Sequence, residues 1–164
     1  MKKFKNASLM ILCVIICGAF LGGCFEPKTK TFTKSGITIT ATDEFYEKEL
    51  LSVTIYLESQ TKIITGLKEN KSMLGTSTTL NSYTNLVLTN NQLTGTEYTE
   101  FDEDDIRFNY FIYEREVSGK SFKYLAVTKE GADNFYLFNF ACESKNYQKF
   151  EQDFMKWAKL LIVE

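Results

Sequence analysis

The chain has 164 residues, of which 44% are hydrophobic and 15% aromatic, with one proline and no histidine. Such a length and composition suit one folded domain with a sizeable core. The absence of histidine excludes Ser-His-Asp and Cys-His catalysis, His-ligated zinc and an imidazole base. The formal net charge is −2, and without the three lysines among residues 1–23 it is −5 (−2 minus 3), which argues against nucleic acid as the main partner.

Residues 1–23 have the pattern of a signal peptide. Three lysines lie in the first five positions, and residues 9–20 form an uncharged apolar run. That run is shorter than the roughly 20 apolar residues of a membrane-spanning helix. Leu21-Gly22-Gly23-Cys24 follows and resembles the lipobox of bacterial lipoproteins.

The lipobox resemblance implies that the Cys24 thiol receives diacylglycerol and that the chain is then cut before this residue. Acyl chains such as palmitate would hold the protein on the extracytoplasmic face of a cell membrane, because two or more chains anchor firmly. The alternative is an uncleaved N-terminal anchor with an incidental cysteine. Both interpretations place the folded domain outside the cytoplasm.

After a polar tether at residues 24–30, residues 31–164 are expected to form a single domain. Alternating apolar and polar residues predict strands in its first part. These strands are a first one directly after the tether, then Ile37 to Thr42, Leu51 to Leu57 and Lys62 to Leu67. Residues 43–47 are expected to form a turn or a single helical turn capped by Asp43.

The first helix is predicted within residues 70–93. Leu80, Tyr83, Leu86, Val87 and, at its end, Asn90 fall on one face at helical spacing. The candidate N-caps are Thr78, Thr79 or Asn81.

The second part of the domain is predicted to be a three-stranded antiparallel meander closed by a helix. Its strands are residues 106–117, 121–128 and 135–142, and the last is apolar on both faces, as in a covered central strand. Ser144 is the expected cap of a helix at residues 145–161, whose apolar face is Tyr147, Phe150, Phe154, Trp157, Ala158 and Leu161. The order β-β-β-β-α-β-β-β-α indicates an α+β fold in which helices pack on an antiparallel sheet.

This pattern resembles the Mog1/PsbP-like fold, including the bacterial DcrB-like lipoproteins, over residues 31–163. The matching features are SGITIT before DEF, GLKEN before the helix TLNSYTNLVLTNN, the strand FYLFNFAC and the helix YQKFEQDFMKW. The resemblance implies an antiparallel sandwich. It also implies a binding or assembly role, because members are described mostly as such factors and share no catalytic residues.

Few residues are candidates for chemistry, and the sequence has no P-loop, GxGxxG or GxSxG motif. The acidic run Glu100 to Asp105 offers oxygen ligands for calcium, but a solvated loop is the favoured interpretation because the EF-hand spacing is not met. Cys142 is the one cysteine of the predicted domain, so no disulfide framework is expected. We expect it to be a buried, inert thiol rather than a redox centre.

The aromatic residues Phe108, Tyr110, Phe111 and Tyr113 could line a ligand groove. We favour an interpretation in which the side chains on one face of the strand pack in the core and those on the other face cover the sheet.

The favoured function is a membrane-anchored, non-catalytic envelope module that binds a protein or assists an assembly. No catalytic residue, cofactor or metal is predicted, and the expected partners are the membrane, through the N-terminal lipid, and an envelope protein. The alternatives are a ligand-binding accessory lipoprotein and a carboxylate-based hydrolase. Two facing buried acids in a deep pocket would favour the hydrolase, and an exposed apolar patch would favour protein binding.

Overall fold

The computed structural model describes residues 28–75 and 77–164. Cys24, the lipobox and the predicted signal peptide lie outside the described residues. The strands are β1 (Thr29–Lys34), β2 (Ile37–Thr42), β3 (Tyr46–Glu47), β4 (Ile55–Glu58), β5 (Lys62–Asn70), β6 (Thr99–Glu103), β7 (Ile106–Val117), β8 (Lys120–Glu130), β9 (Asn134–Glu143) and β10 (Ile162–Val163). The helices are α1 (Lys71–Leu74), α2 (Leu80–Asn90) and α3 (Tyr147–Lys159), and α3 follows a 3-10 turn at Ser144–Asn146. Within this part of the chain, no helix is both long and apolar enough to span a membrane.

The strands form two antiparallel sheets. The larger has seven strands in the order β3-β4-β5-β9-β8-β7-β6, and the smaller has the order β1-β2-β10. Strand β9 pairs with β5 on one side and β8 on the other, which confirms the central strand expected from its apolar residues. The α+β class and the packing of helices on an antiparallel sheet are also confirmed.

The main core lies between the large sheet and a layer made of α3 and the small sheet. Phe154 is fully buried and its ring contacts the rings of Phe140, Tyr147, Phe150 and Trp157. The predicted apolar face of α3 is therefore the one that packs on the sheet. The helix begins at Tyr147 without a side-chain cap, so the expected Ser144 cap is wrong. The Ser144 hydroxyl instead lies 3.1 Å from that of Ser121 on β8.

A second, smaller core lies under α2 on the opposite face of the large sheet. Thr79 caps α2 in a capping box with Ser82, one of the three caps considered. The buried positions are Leu80, Tyr83, Thr84, Val87 and Leu88, whereas Leu86 is 39% exposed. The prediction for Leu86 was therefore wrong. Thr84 takes a core position because its hydroxyl is satisfied by Leu80 O and by the Thr128 hydroxyl, 2.8 and 2.7 Å away.

Two strand boundaries in the first half also differ from the prediction. Strand β4 begins at Ile55, and Leu51 is fully exposed in a bend. The local alternation at 51–54 does not produce a strand because Val53 N–H bonds Leu50 O within that bend. Strand β1 begins at Thr29, inside the expected tether, because Thr29 pairs with Thr42.

The acidic run is not a loop. Its first part lies in β6, which pairs with β7 from Thr99↔Tyr110 to Glu103↔Ile106. Asp104 and Asp105 form the two-residue turn of this hairpin with φ of 51° and 63°. Positive φ at both positions is what a type I′ turn requires, and aspartate tolerates it better than most residues. The loop assignment was therefore wrong, because pairing with β7 overrides the polar composition of the run.

Candidate interaction surface

Cys142 is unsuited to redox chemistry. Its side chain is 1% exposed and it is a free thiol. Burial raises its pKa to about 11, although the nearby Lys62 ammonium acts in the opposite direction. The thiolate, which is the reactive form, is therefore strongly disfavoured near neutral pH.

The carboxylates of the acidic run point into solvent. All five acidic side chains between Glu100 and Asp105 are exposed, and Glu100 accepts a hydrogen bond from the Asn81 amide, 2.8 Å away. No group of three or more His, Cys, Asp or Glu residues in the described part of the chain is placed to hold a metal ion. The turn at Asp104 and Asp105 therefore directs charge outward rather than around a cation.

The four aromatic residues of β7 alternate between the two faces of the large sheet. Phe108 and Tyr110 belong to the core under α3, whereas Phe111 and Tyr113 pack with the cluster under α2. Phe111 is buried, but Tyr113 is only half-buried. Three of these residues are thus core or core cover, while Tyr113 marks a surface that continues beyond α2.

Helix α2 covers only one half of its face of the sheet. It lies over Phe111, Ala126 and Phe135. The other half carries half-buried side chains, which we call the aromatic face: Tyr56 on β4, Ile63 on β5, Tyr113 on β7, and Phe122 and Tyr124 on β8. The pairing registers place Tyr113, Tyr124, Ala141 and Ile63 in one row across four adjacent strands. Sequence reasoning singled out only Tyr113 of this surface.

The centre of the aromatic face is held by ring stacking and hydrogen bonds. The rings of Tyr113 and Tyr124 stack at 4.6 Å between centroids with an interplanar angle of 5°. The Tyr113 hydroxyl donates to Asn139 Oδ1 at 3.1 Å, and Asn139 Nδ2 lies 3.5 Å from Thr65 Oγ1. Burial raises the pKa of Tyr113 to about 12, so the hydroxyl stays protonated. The surface therefore offers flat apolar area with fixed polar groups, a composition common at binding sites.

The second half of β7 borders the aromatic face and has an open edge. Strand β6 pairs with β7 only as far as Tyr110. The two-residue turns at both ends of β7 determine which of its N–H and C=O groups point toward β8 and which point away from it. The reason is that the two residues flanking such a turn form a hydrogen-bonded pair. The flanking pairs are Glu103↔Ile106 and Val117↔Lys120. Because the direction alternates from one residue to the next, the backbone groups of Ile112, Glu114 and Glu116 point away from β8.

Those outward backbone groups have no backbone partner among the described residues. We call residues 112–117 the open edge, and all of its side chains except Tyr113 are exposed. Next to it lies a cleft of about 440 Å³ formed by Asn90 to Leu93, at the end of α2, with Glu114 and Arg115. Arg115 Nη2 donates to Asn91 O at 3.0 Å and its guanidinium lies over the Tyr113 ring.

An ion pair between the buried Lys62 and the partly exposed Glu44, on the other side of the molecule, was not anticipated from the sequence. Lys62 is 6% exposed and its Nζ lies 2.7 Å from Glu44 Oε1 and 4.1 Å from the centre of the Phe150 ring. Burial acts to raise the pKa of Glu44, but hydrogen bonds from Lys62 and Thr42 outweigh it, and the net pKa is lowered. The pair joins the turn after β2 to β5 and α3, so its role is structural.

Comparison with solved structures shows the fold. The solution structure of cyanobacterial PsbP (CyanoP) from Synechocystis sp. PCC 6803 superposes with a TM-score of 0.60 at 13% identity, covering 87% of this chain and 96% of that one. The Ran-binding protein Mog1p of Saccharomyces cerevisiae superposes with a TM-score of 0.55 at 9% identity, covering 84% and 96%. The chain has the PsbP/Mog1 fold.

A protein from Bacteroides thetaiotaomicron is also similar, with a TM-score of 0.61 at 9% identity, but the match covers 82% of this chain and 48% of that one. No protein-family model and no curated protein matches the chain. At these identities the PsbP/Mog1 likeness concerns the backbone fold alone, and the functional argument has to come from the surface.

Proposed function

We propose that this protein is a lipid-anchored envelope lipoprotein that acts as a non-catalytic binding or assembly module. The observation that carries the proposal is the part of the α2 face of the large sheet that α2 leaves uncovered. It places half-buried aromatic residues and an open strand edge side by side. Aromatic residues with apolar surroundings are the groups that contribute most to protein interfaces.

Two further points support a binding role over catalysis. In the described part of the chain no aspartate or glutamate is buried, and a paired-carboxylate hydrolase needs an acid whose pKa is raised by burial. Mog1p, which shares the fold, carries the name of a Ran-binding protein. That fold-level likeness supports the use of this scaffold for binding a protein, but it names no partner for this chain.

The anchoring part of the proposal rests on Leu21 to Cys24 and is tested by mass spectrometry of the membrane fraction. We expect the wild-type protein to begin at an acylated Cys24. We expect Cys24→Ala to remain at full length without acyl modification. An intact Met1 on the wild-type protein would contradict the anchoring proposal.

The binding part is tested by photo-crosslinking in intact cells. A benzoylphenylalanine at position 124 replaces a tyrosine on the aromatic face, and the matched control carries it at position 156, which is exposed on α3. We expect a discrete adduct with an envelope protein from position 124 and none from position 156. Equal labelling from both positions, or none from position 124, would contradict the use of this face.

A further inference from the structure

We infer that the open edge of β7 binds an extended, basic segment of a protein partner, which adds to the large sheet as a strand beside residues 112–117. The inference rests on the proposed function, since it names the chemistry of the partner and the place where it binds. It uses the open edge rather than the whole aromatic face, so the two can be tested separately.

The backbone supplies the first part of the argument. The N–H and C=O groups of Ile112, Glu114 and Glu116 point away from β8 and have no backbone partner in the described residues. Unpaired groups in this alternating arrangement are the template to which an extended peptide adds a strand. Strand β6 already pairs in this way with the first part of the same edge, so the geometry of β7 suits such pairing.

The charges supply the second part. Glu114 and Glu116 are exposed on one face of the open edge. Hydrogen bonds from Ser121 and Ser144 lower the pKa of Glu114, so this carboxylate keeps its charge. In the adjoining cleft, the Asn91 carbonyl at the end of α2 already accepts a hydrogen bond from Arg115, so this cleft carries its own cation. The Glu114 and Glu116 carboxylates are therefore the groups that a lysine or arginine of the partner would meet, because opposite charges on paired strands stabilise the pair.

The same charges argue against a second copy of this chain as the occupant. Glutamates on an edge strand commonly prevent unwanted pairing. Two copies that met through residues 112–117 would bring the Glu114 and Glu116 carboxylates of one against those of the other. Like charges across paired strands destabilise the pair, whereas opposite charges stabilise it. A basic segment therefore fits this edge better than a copy of it.

The two faces of β7 also determine the expected pattern of the partner. Tyr113, Arg115 and Val117 lie on the face shared with α2, where the Arg115 guanidinium lies over the Tyr113 ring, and Glu114 and Glu116 lie on the other face. Because side chains of a strand alternate between faces, the partner is expected to alternate basic and apolar residues. Its apolar side chains would meet Tyr113 and Val117, and its basic ones would meet the two glutamates.

The test uses the full chain in mild detergent and a fluorescein-labelled peptide of alternating lysine and valine, with binding followed by anisotropy. We expect saturable binding that weakens as salt is added, and no binding of a peptide with glutamate in place of lysine. A peptide N-methylated on the valine amides and a second one N-methylated on the lysine amides keep the charge but remove alternate donors. We expect one of the two to lose binding and the other to retain it.

Two protein variants locate the site. Glu116→Lys should weaken binding on the order of tenfold, while Asp153→Lys, an equal change of charge at an exposed position on α3, should leave it within about twofold. Ile112→Pro removes one outward donor and should weaken binding by a similar factor. Asp102→Pro, at an outward-facing position of β6, is its control.

Absence of binding by the lysine-valine peptide would overturn the inference. Equal binding of both N-methylated peptides, or equal effects of Glu116→Lys and Asp153→Lys, would overturn it as well. Any of these results leaves the proposed function standing if Cys24 is acylated and position 124 still gives its adduct. Failure of those two measurements would instead remove the proposed function on which the inference depends.

Discussion

Replacing Phe154 with alanine tests whether α3 completes the core. The ring is 0% exposed and its centroid lies 5.8 to 6.3 Å from the centroids of Trp157, Phe140, Tyr147 and Phe150. Truncating a buried phenylalanine to alanine costs about 3–5 kcal/mol, because buried area is lost and a cavity remains. A domain of this size has a stability of roughly 5–15 kcal/mol, so the variant should be marginally folded.

Trp157 provides the readout, because it is the only tryptophan in the chain and is 4% exposed next to Phe154. Its emission should be blue-shifted in the native wild-type protein and move to longer wavelength on unfolding. Denaturant titration should show the Phe154→Ala transition at lower denaturant with an unchanged slope. The melting temperature should fall by roughly 10–20 °C.

The matched control is Lys156→Ala, on the solvent side of the same helix, which should change stability by less than about 0.5 kcal/mol. A loss below about 1 kcal/mol for Phe154→Ala would refute the core assignment of α3. Native emission like that of free tryptophan would refute it independently, because it would show that this helix face is exposed.

Three further predictions follow from the site geometry. The Cys142 thiol, buried and with a pKa raised to about 11, should react with a thiol reagent only after denaturant is added; fast native labelling would contradict this. Glu44→Gln should lower the free energy of unfolding by about 1–2 kcal/mol, since it weakens the one ionic contact that the buried Lys62 ammonium makes among the described residues, while solvent screens the partly exposed carboxylate. The pKa of Glu44 in the folded protein is lowered from 4.5. The difference in unfolding free energy between the wild type and Glu44→Gln should therefore be complete above pH 4.5 and shrink as the pH falls through the folded pKa. A difference independent of pH would contradict the ion pair. Neutralising the carboxylates of residues 102–105 should barely change stability, because these side chains are exposed, and a calcium-dependent rise in melting temperature would contradict the absence of a cation role.

The strongly periodic elements were predictable from sequence because their side-chain spacing leaves one favourable orientation. In α3 the apolar residues recur every three or four positions, so one face alone can be buried. The apolar run at residues 135–142 similarly requires cover on both faces. The bounds of β7, Ile106–Val117, were predicted correctly. The turn residues Ser118 and Gly119, with φ of 51° and 75°, mark the end of this strand.

The candidate interaction surface was not predictable in the same way. Tyr56, Ile63, Tyr113, Phe122 and Tyr124 come from four strands, and their neighbourhood exists only through the pairing registers. No local pattern shows that α2, which is 11 residues long, covers half of its face of the sheet and leaves the rest half-buried.

The class of the fold, the central strand and the core face of the closing helix were predictable from the amino-acid pattern, because each depends on the periodicity of one segment. The sequence also supplies the motif for anchoring at Cys24, which stays a prediction. The three-dimensional structure was needed to show that the acidic run forms a paired strand and its turn, and that residues 112–117 have an open edge. Both depend on how far β6 extends along β7, and the pairing of two strands is a property of neither strand alone.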